Sequence, residues 1–124
     1  MSLLDSSVWI ALFLTFDTNH TKAAKLIKTI PRPIFVPYGV VAETATVLTY
    51  KHSKAQANRF LEYLASNSDI VLLNNDVNEE LRFFKALNRP LSFTDVSLIY
   101  LSQKLGLSIV TFDKQLARIL RNLY

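Results

Sequence analysis

Short apolar runs alternate with longer stretches of helical period along the whole chain. Ser2–Leu4 predicts a first strand, stopped by Asp5, and Ser7–Leu14 a helix carrying Val8, Ile10, Ala11, Leu12 and Leu14. Thr18–Ile30 predicts an amphipathic helix, with Ala23, Ala24, Leu26, Ile27 and Ile30 inward and Lys22, Lys25 and Lys28 outward. Pro31 and Pro33 end it ahead of a second strand, Ile34–Val36. Gly39–Tyr50 reads as a largely apolar helix and Ser53–Ser66 as another, N-capped by Ser53. Ile70–Leu73 is a third strand and Val77–Leu87 a further helix. Pro90 separates that helix from Phe93–Leu105, which Gly106 ends by favouring a left-handed stop. Leu107–Thr111 is a fourth strand and Lys114–Leu120 a last helix.

Strands that alternate with helices predict an α/β fold: a parallel sheet, covered on both faces, with right-handed crossovers. The 124 residues suit one domain, residues 1–124, and half are hydrophobic, so a packed core is expected. Cysteine is absent, which removes disulfides and thiolate metal sites and suits a reducing cytoplasm. The longest apolar stretch, Val8 to Phe16, is too short to span a bilayer, and no basic cluster precedes it as in a signal peptide. The net charge of +4 favours polyanionic partners, although the basic residues are spread along the chain.

Within this frame four acids stand in strongly apolar segments: Asp5, Glu43, Asp95 and Asp113. A carboxylate near a core costs free energy unless it is hydrogen-bonded, paired or bound to a metal. Three have an ordinary structural use. Asp5 and Asp113 can each cap the helix that follows, and Asp95 can close a capping box with Ser92. Glu43 lies about a turn inside its helix, flanked at three and four positions by Gly39, Val40, Thr46 and Val47, so capping explains it poorly. The other acids, Asp17, Glu62, Asp69, Asp76, Glu79 and Glu80, read as ordinary polar or loop positions. Sites in open α/β sheets form beyond the carboxyl ends of the strands, where Asp5 and Asp113 fall. Carboxylates gathered there would repel one another unless a hard cation such as Mg²⁺ or Mn²⁺ joined them. Zinc is disfavoured, because His20 and His52 fall in polar helical stretches.

Leu3-Leu4-Asp5-Ser6-Ser7-Val8, Glu43 in its apolar helix, Ser92-Phe93-Thr94-Asp95 and Ile109-Val110-Thr111-Phe112-Asp113-Lys114 together resemble the PIN-domain ribonucleases, and most closely the VapC-type toxins of toxin–antitoxin pairs. The resemblance covers essentially the whole chain in motif order. It implies a three-layer α/β/α PIN-like domain with a parallel sheet of four to five strands in the order 3-2-1-4-5. The chain ends at Tyr124 directly after the last helix, so the fifth strand is expected to be missing or vestigial. Val96 stands where the family often has a small residue, which touches packing and removes no ligand. By position, Asp5, Glu43, Asp95 and Asp113 would be the catalytic and metal-binding quartet. Ser6, Thr94 and Thr111 would be hydroxyls that orient it.

The implied activity is Mg²⁺- or Mn²⁺-dependent cleavage of RNA in the cytoplasm, by a homodimer silenced by a VapB-type antitoxin. Lys51, Arg89, Lys114 and Arg118 are candidates for phosphate contacts. Trp9, Phe13, Phe16 and Phe83 can stack bases or pack in the core, and Phe60, Tyr63 and Leu64 are candidate interface residues. Three rival readings stand beside this one. A PIN nuclease of RNA processing or decay would have the same site and no antitoxin. A Mg²⁺-binding receiver-like switch would need an acidic pair after strand one and an aspartate after strand three, where this chain has Asp5-Ser6-Ser7 and Leu73-Asn74-Asn75. A non-catalytic binding module would have no use for the complete quartet.

Overall fold

The computed structural model describes residues 1–74 and 76–123. Asn75 and Tyr124, which entered the reading above at the end of strand three and at the chain's end, lie outside the described residues. The elements are β1 (Ser2–Leu4), α1 (Ser6–Phe13), α2 (His20–Thr29), β2 (Ile34–Pro37), α3 (Tyr38–Lys51), α4 (Lys54–Ser66), β3 (Ile70–Leu73), α5 (Val77–Ala86), α6 (Phe93–Leu105), β4 (Ser108–Val110) and α7 (Lys114–Leu123). The sheet among the described residues has four strands in the order β3-β2-β1-β4, all parallel. The expected neighbourhood of strands one and four is therefore present, with Leu4 opposite Val110 and the Asp5 N–H donating to the Val110 carbonyl at 3.0 Å. No fifth strand occurs among the described residues, where helix α7 runs on to Leu123.

Strand β1 is the centre of the molecule. Its side chains alternate between the two faces, yet Ser2, Leu3 and Leu4 are all buried, so helices cover the sheet on both sides. Over one face Trp9 and Phe13 of α1 meet Phe60 and Tyr63 of α4, with ring centroids between 5.6 and 6.0 Å apart. Phe60 and Leu64 are thus core residues, which corrects their assignment to a subunit interface. A second cluster, Leu91, Val96, Ile99 and Leu116, ties α6 to α7.

Local chemistry sets the helix ends. Ser53 accepts from the Gln56 N–H (3.1 Å), and Asp76 from those of Asn78 and Glu79 (3.1 and 3.3 Å). Gly106, at φ 67°, ends α6 in the left-handed region as expected. Helix α2 begins at His20 instead of Thr18, because Asp17 accepts from the Asn19 N–H (2.8 Å) and the His20 N–H (3.0 Å) and holds a turn there. Strand β4 is shorter than expected at both ends. The Leu107 N–H goes back to the Ser102 carbonyl (3.0 Å), and Thr111 turns its hydroxyl to Asp5.

Two substitutions test this core. Phe60→Ala removes a fully buried ring and should cost about 3–5 kcal/mol in urea unfolding. Among the described residues the buried Thr44 hydroxyl has no hydrogen-bond partner, so Thr44→Val should stabilise the protein by about 1 kcal/mol or more in the same measurement.

Candidate active site

The carboxyl ends of β1 and β4 lie side by side, and Asp5 stands in the first position beyond β1. The Asp5 side chain is almost wholly buried, and its carboxylate is met by donors on both oxygens. Oδ1 accepts from the Ser6 N–H at 2.8 Å and lies 3.4 Å from the Ser6 hydroxyl. Oδ2 accepts from Ser7 Oγ and Thr111 Oγ1, each at 2.8 Å. Those two hydroxyls accept in turn from backbone N–H groups of the β4–α7 loop: Phe112 N–H to Ser7 at 3.0 Å and Asp113 N–H to Thr111 at 2.9 Å. Each hydroxyl has one proton and gives it to Asp5, so the 3.3 Å contact between Ser7 and Thr111 is an approach without a proton of its own. Two backbone amides, two hydroxyls and one carboxylate oxygen form a chain in which each bond polarises the next.

The other three carboxylates reach the same rim from different elements. Glu43, in the second turn of α3, accepts from the hydroxyl of Ser6, so one serine sits between Asp5 and Glu43. Asp113 caps α7: its Oδ1 accepts from the Gln115 and Leu116 N–H groups at 2.9 and 3.2 Å. Asp95 lies in the first turn of α6, its own N–H bonded to Ser92 Oγ at 3.1 Å. The Asp95 carboxyl is pushed up to about 6; burial is the largest cause, the charge of Asp5 follows, the Ser92 hydrogen bond opposes, and Asp113 and Glu43 add smaller amounts. The capping roles and the shared electrostatics therefore coexist.

The four do not close on one point. Among the described residues no group of three or more His, Asp or Glu side chains is gathered tightly enough to hold an ion. Like charges repel, and three of the four have donors of their own, Glu43 in Ser6, Asp113 in the α7 amides and Asp5 in two hydroxyls.

Of the expected hydroxyls, Ser6 and Thr111 touch carboxylates, while Thr94 lies against Gly39 at the start of α3, where an added Cβ would meet Thr94 Oγ1 at 3.2 Å. Sequence reasoning passed over Ser7, which holds both Asp5 and the Phe112 amide; the second serine of Asp5-Ser6-Ser7 was its signal. It also misplaced Glu80, which is buried between α5 and α6 and accepts from Ser97, a helix-to-helix contact that no spacing within α5 discloses. Of the basic candidates, Arg89, Lys114 and Arg118 are exposed, and Lys51 closes α3 about 12 Å along the helix from Glu43, at eight residues and 1.5 Å each. Trp9 is buried, Phe13 and Phe83 are half-buried, and exposed Phe16 stacks on His52. His20 donates from Nδ1 to the Ala11 carbonyl at 2.9 Å.

The PIN domain family model matches residues 2–121. Among solved structures, VapC20 of Mycobacterium tuberculosis, a toxin that cleaves the sarcin-ricin loop, matches with a TM-score of 0.87 at 21% identity, over 96% of this chain and 95% of that one. PAE2754 of Pyrobaculum aerophilum matches with a TM-score of 0.64 at 26% identity, over 93% of this chain and 81% of that one. No curated protein matches the sequence.

The raised Asp95 carboxyl has a consequence of definite sign. A group that binds its proton more tightly folded than unfolded contributes stability when protonated, and that contribution is lost as pH rises from 3.8 to about 6. A carboxyl-carbon NMR titration without divalent cations should give an Asp95 midpoint near 6. Asp5→Asn, which removes the largest charge contribution, should lower that midpoint.

Proposed function

The chain belongs to the PIN-domain family, and from that premise we propose that it is a metal-dependent endoribonuclease, the toxin of a VapBC-type toxin–antitoxin pair. One observation carries the reading: Ser6 stands between Asp5 and Glu43, Thr111 ties Asp5 to the Asp113 amide, and the charges of Asp5, Asp113 and Glu43 all reach Asp95. The donor set is all oxygen, carboxylates with hydroxyls behind them, which suits Mg²⁺ or Mn²⁺ and gives zinc no nitrogen or sulfur. Asp5, Glu43, Asp95 and Asp113 would hold such a cation, and the repulsion stored among them is what its charge would relieve. When bound, it supplies Lewis-acid polarisation of a phosphodiester and neutralises charge developing at the leaving oxygen.

The chain's own residues do the positioning. Ser7 and Thr111 fix one Asp5 oxygen from the β4 side, and the Ser6 amide fixes the other. Ser6 sets Glu43 against Asp5. Asp113 uses Oδ1 for α7, so the helix start and the acid keep one register. The likeness in fold to VapC20 supports the toxin reading and makes the sarcin-ricin loop one RNA to try. A homodimer and a VapB-type antitoxin are the partners this reading brings with it.

The test is cleavage of single-stranded RNAs and of a sarcin-ricin hairpin with Mg²⁺, with Mn²⁺ or with EDTA. EDTA should stop cleavage. Asp5→Asn should abolish it while the unfolding transition stays cooperative. Thr111→Val, which removes a positioning hydroxyl, should cost about 10–100-fold. Full activity in purified Asp5→Asn protein would sink the proposed site.

A further inference from the structure

Helix α2 and the β4–α7 loop enclose two clefts beside the carboxylate site, the second of which Asp113 lines. The first, of about 460 Å³, has Lys22 and Lys25 along one side and Leu26, Val110 and Phe112 among its lining. The second, of about 230 Å³, continues past Lys22, Thr111 and Phe112 to Asp113 and Lys114. Lys22, Thr111 and Phe112 line both, so a path from one cleft to the other runs along these residues. Its inner end reaches the acidic rim at Asp113, beside Thr111, whose hydroxyl donates to the buried Asp5.

The path has a definite chemical character. Helix α2 carries Lys22, Lys25 and Lys28 and no acid. The ion pairs among the described residues are Arg32–Asp69 and Lys104–Glu79, so no carboxylate neutralises Lys22, Lys25 or Lys114. Lys22 and Lys25 are three apart on the helix, with Cβ atoms about 5–6 Å from each other, a spacing comparable to neighbouring phosphates of an extended strand. The Lys22 ammonium lies 5.3 Å from the centroid of the Phe112 ring, which steadies a long side chain at the mouth of the path. Ammonium groups beside an aromatic and aliphatic floor are what a single strand needs, phosphates on the charges and base or sugar on the floor.

We propose that this path carries the substrate RNA strand away from the carboxylates, with Lys22 and Lys25 holding phosphates next to the one that is cut. The inference rests on the nuclease reading. A phosphodiester chain brought to four acids meets repulsion, and basic groups on the approach offset it. The sequence reading put Lys22 and Lys25 on the outward side of an amphipathic helix, and nothing in the sequence brings α2 beside the loop after β4.

The test separates this path from the nuclease reading. Binding of a fluorescent single-stranded oligoribonucleotide is measured in EDTA across a range of salt, for the wild type, for Lys22→Gln/Lys25→Gln, and for Lys54→Gln/Arg59→Gln, which removes two exposed charges on α4. The first pair should weaken binding and flatten the plot of log affinity against log salt by about 1.4, at about 0.7 for each lost phosphate contact. The α4 pair should keep the wild-type slope. In cleavage, the first pair should raise KM and leave kcat nearly unchanged. An unchanged slope in the first pair, or an equal loss in both pairs, overturns the path while the nuclease reading stands. If the first pair instead loses binding of a hexaglutamate peptide and keeps its RNA slope, the path belongs to an acidic protein segment and the proposal fails. A wild type that neither binds nor cuts RNA overturns the nuclease reading itself.

Discussion

The buried Asp5 carboxylate is the interaction on which the rest of the structure depends. It stands where the central strand ends, out of reach of water, and so must be satisfied by protein donors or be expelled. The donors come from two directions: the start of α1 through Ser6 and Ser7, and the loop after β4 through Thr111. Satisfying one side chain therefore fixes how β1, α1 and β4 meet. A shift of one residue in the β4–α7 loop would remove Thr111 from Oδ2 and the Phe112 amide from Ser7 together.

The same carboxylate sets the electrostatics of the rim. A single buried acid with three donors is satisfied; three more acids stand nearby, and burial first, then the charge of Asp5, raises the Asp95 carboxyl to about 6. The hydrogen bonds of Glu43 and Asp113 point the same way, since each acid has engaged local donors. Capping and ion binding are compatible uses here. A cap consumes one oxygen, as Asp113 shows with Oδ1 on two amides, while Oδ2 makes no hydrogen bond among the described residues.

Much of this was legible in the sequence because its signals are local. Every helix and strand was announced by period or punctuation, with ends within a few residues; Ser53, Ser92, Asp113 and Gly106 stop or start helices for the reasons their chemistry gives. The four acids were visible because each interrupts an apolar run. What stayed hidden depends on contacts between distant segments. Glu80 sits in a polar stretch of α5 yet is buried against Ser97 of α6. Phe60 looks like any apolar residue on an amphipathic helix until α4 is seen against Trp9 and Phe13. Ser7 was a helix residue until the loop after β4 brought the Phe112 amide to it.

Residues 111 to 113 bring these separate demands together. Thr111 orients Asp5, Phe112 gives its amide to Ser7 and its ring to Lys22, and Asp113 starts α7 and adds its charge to Asp95. One residue faces the central strand, the next faces α2, and the third faces the last helix. Strand β4 ends at Val110, and the hydroxyl of the next residue, Thr111, bonds the acid. Fold and candidate site therefore constrain each other at the same three positions. A change there would disturb the acid, the helix start and the lysine path together, whereas a change at Lys22 or Lys25 disturbs only the path.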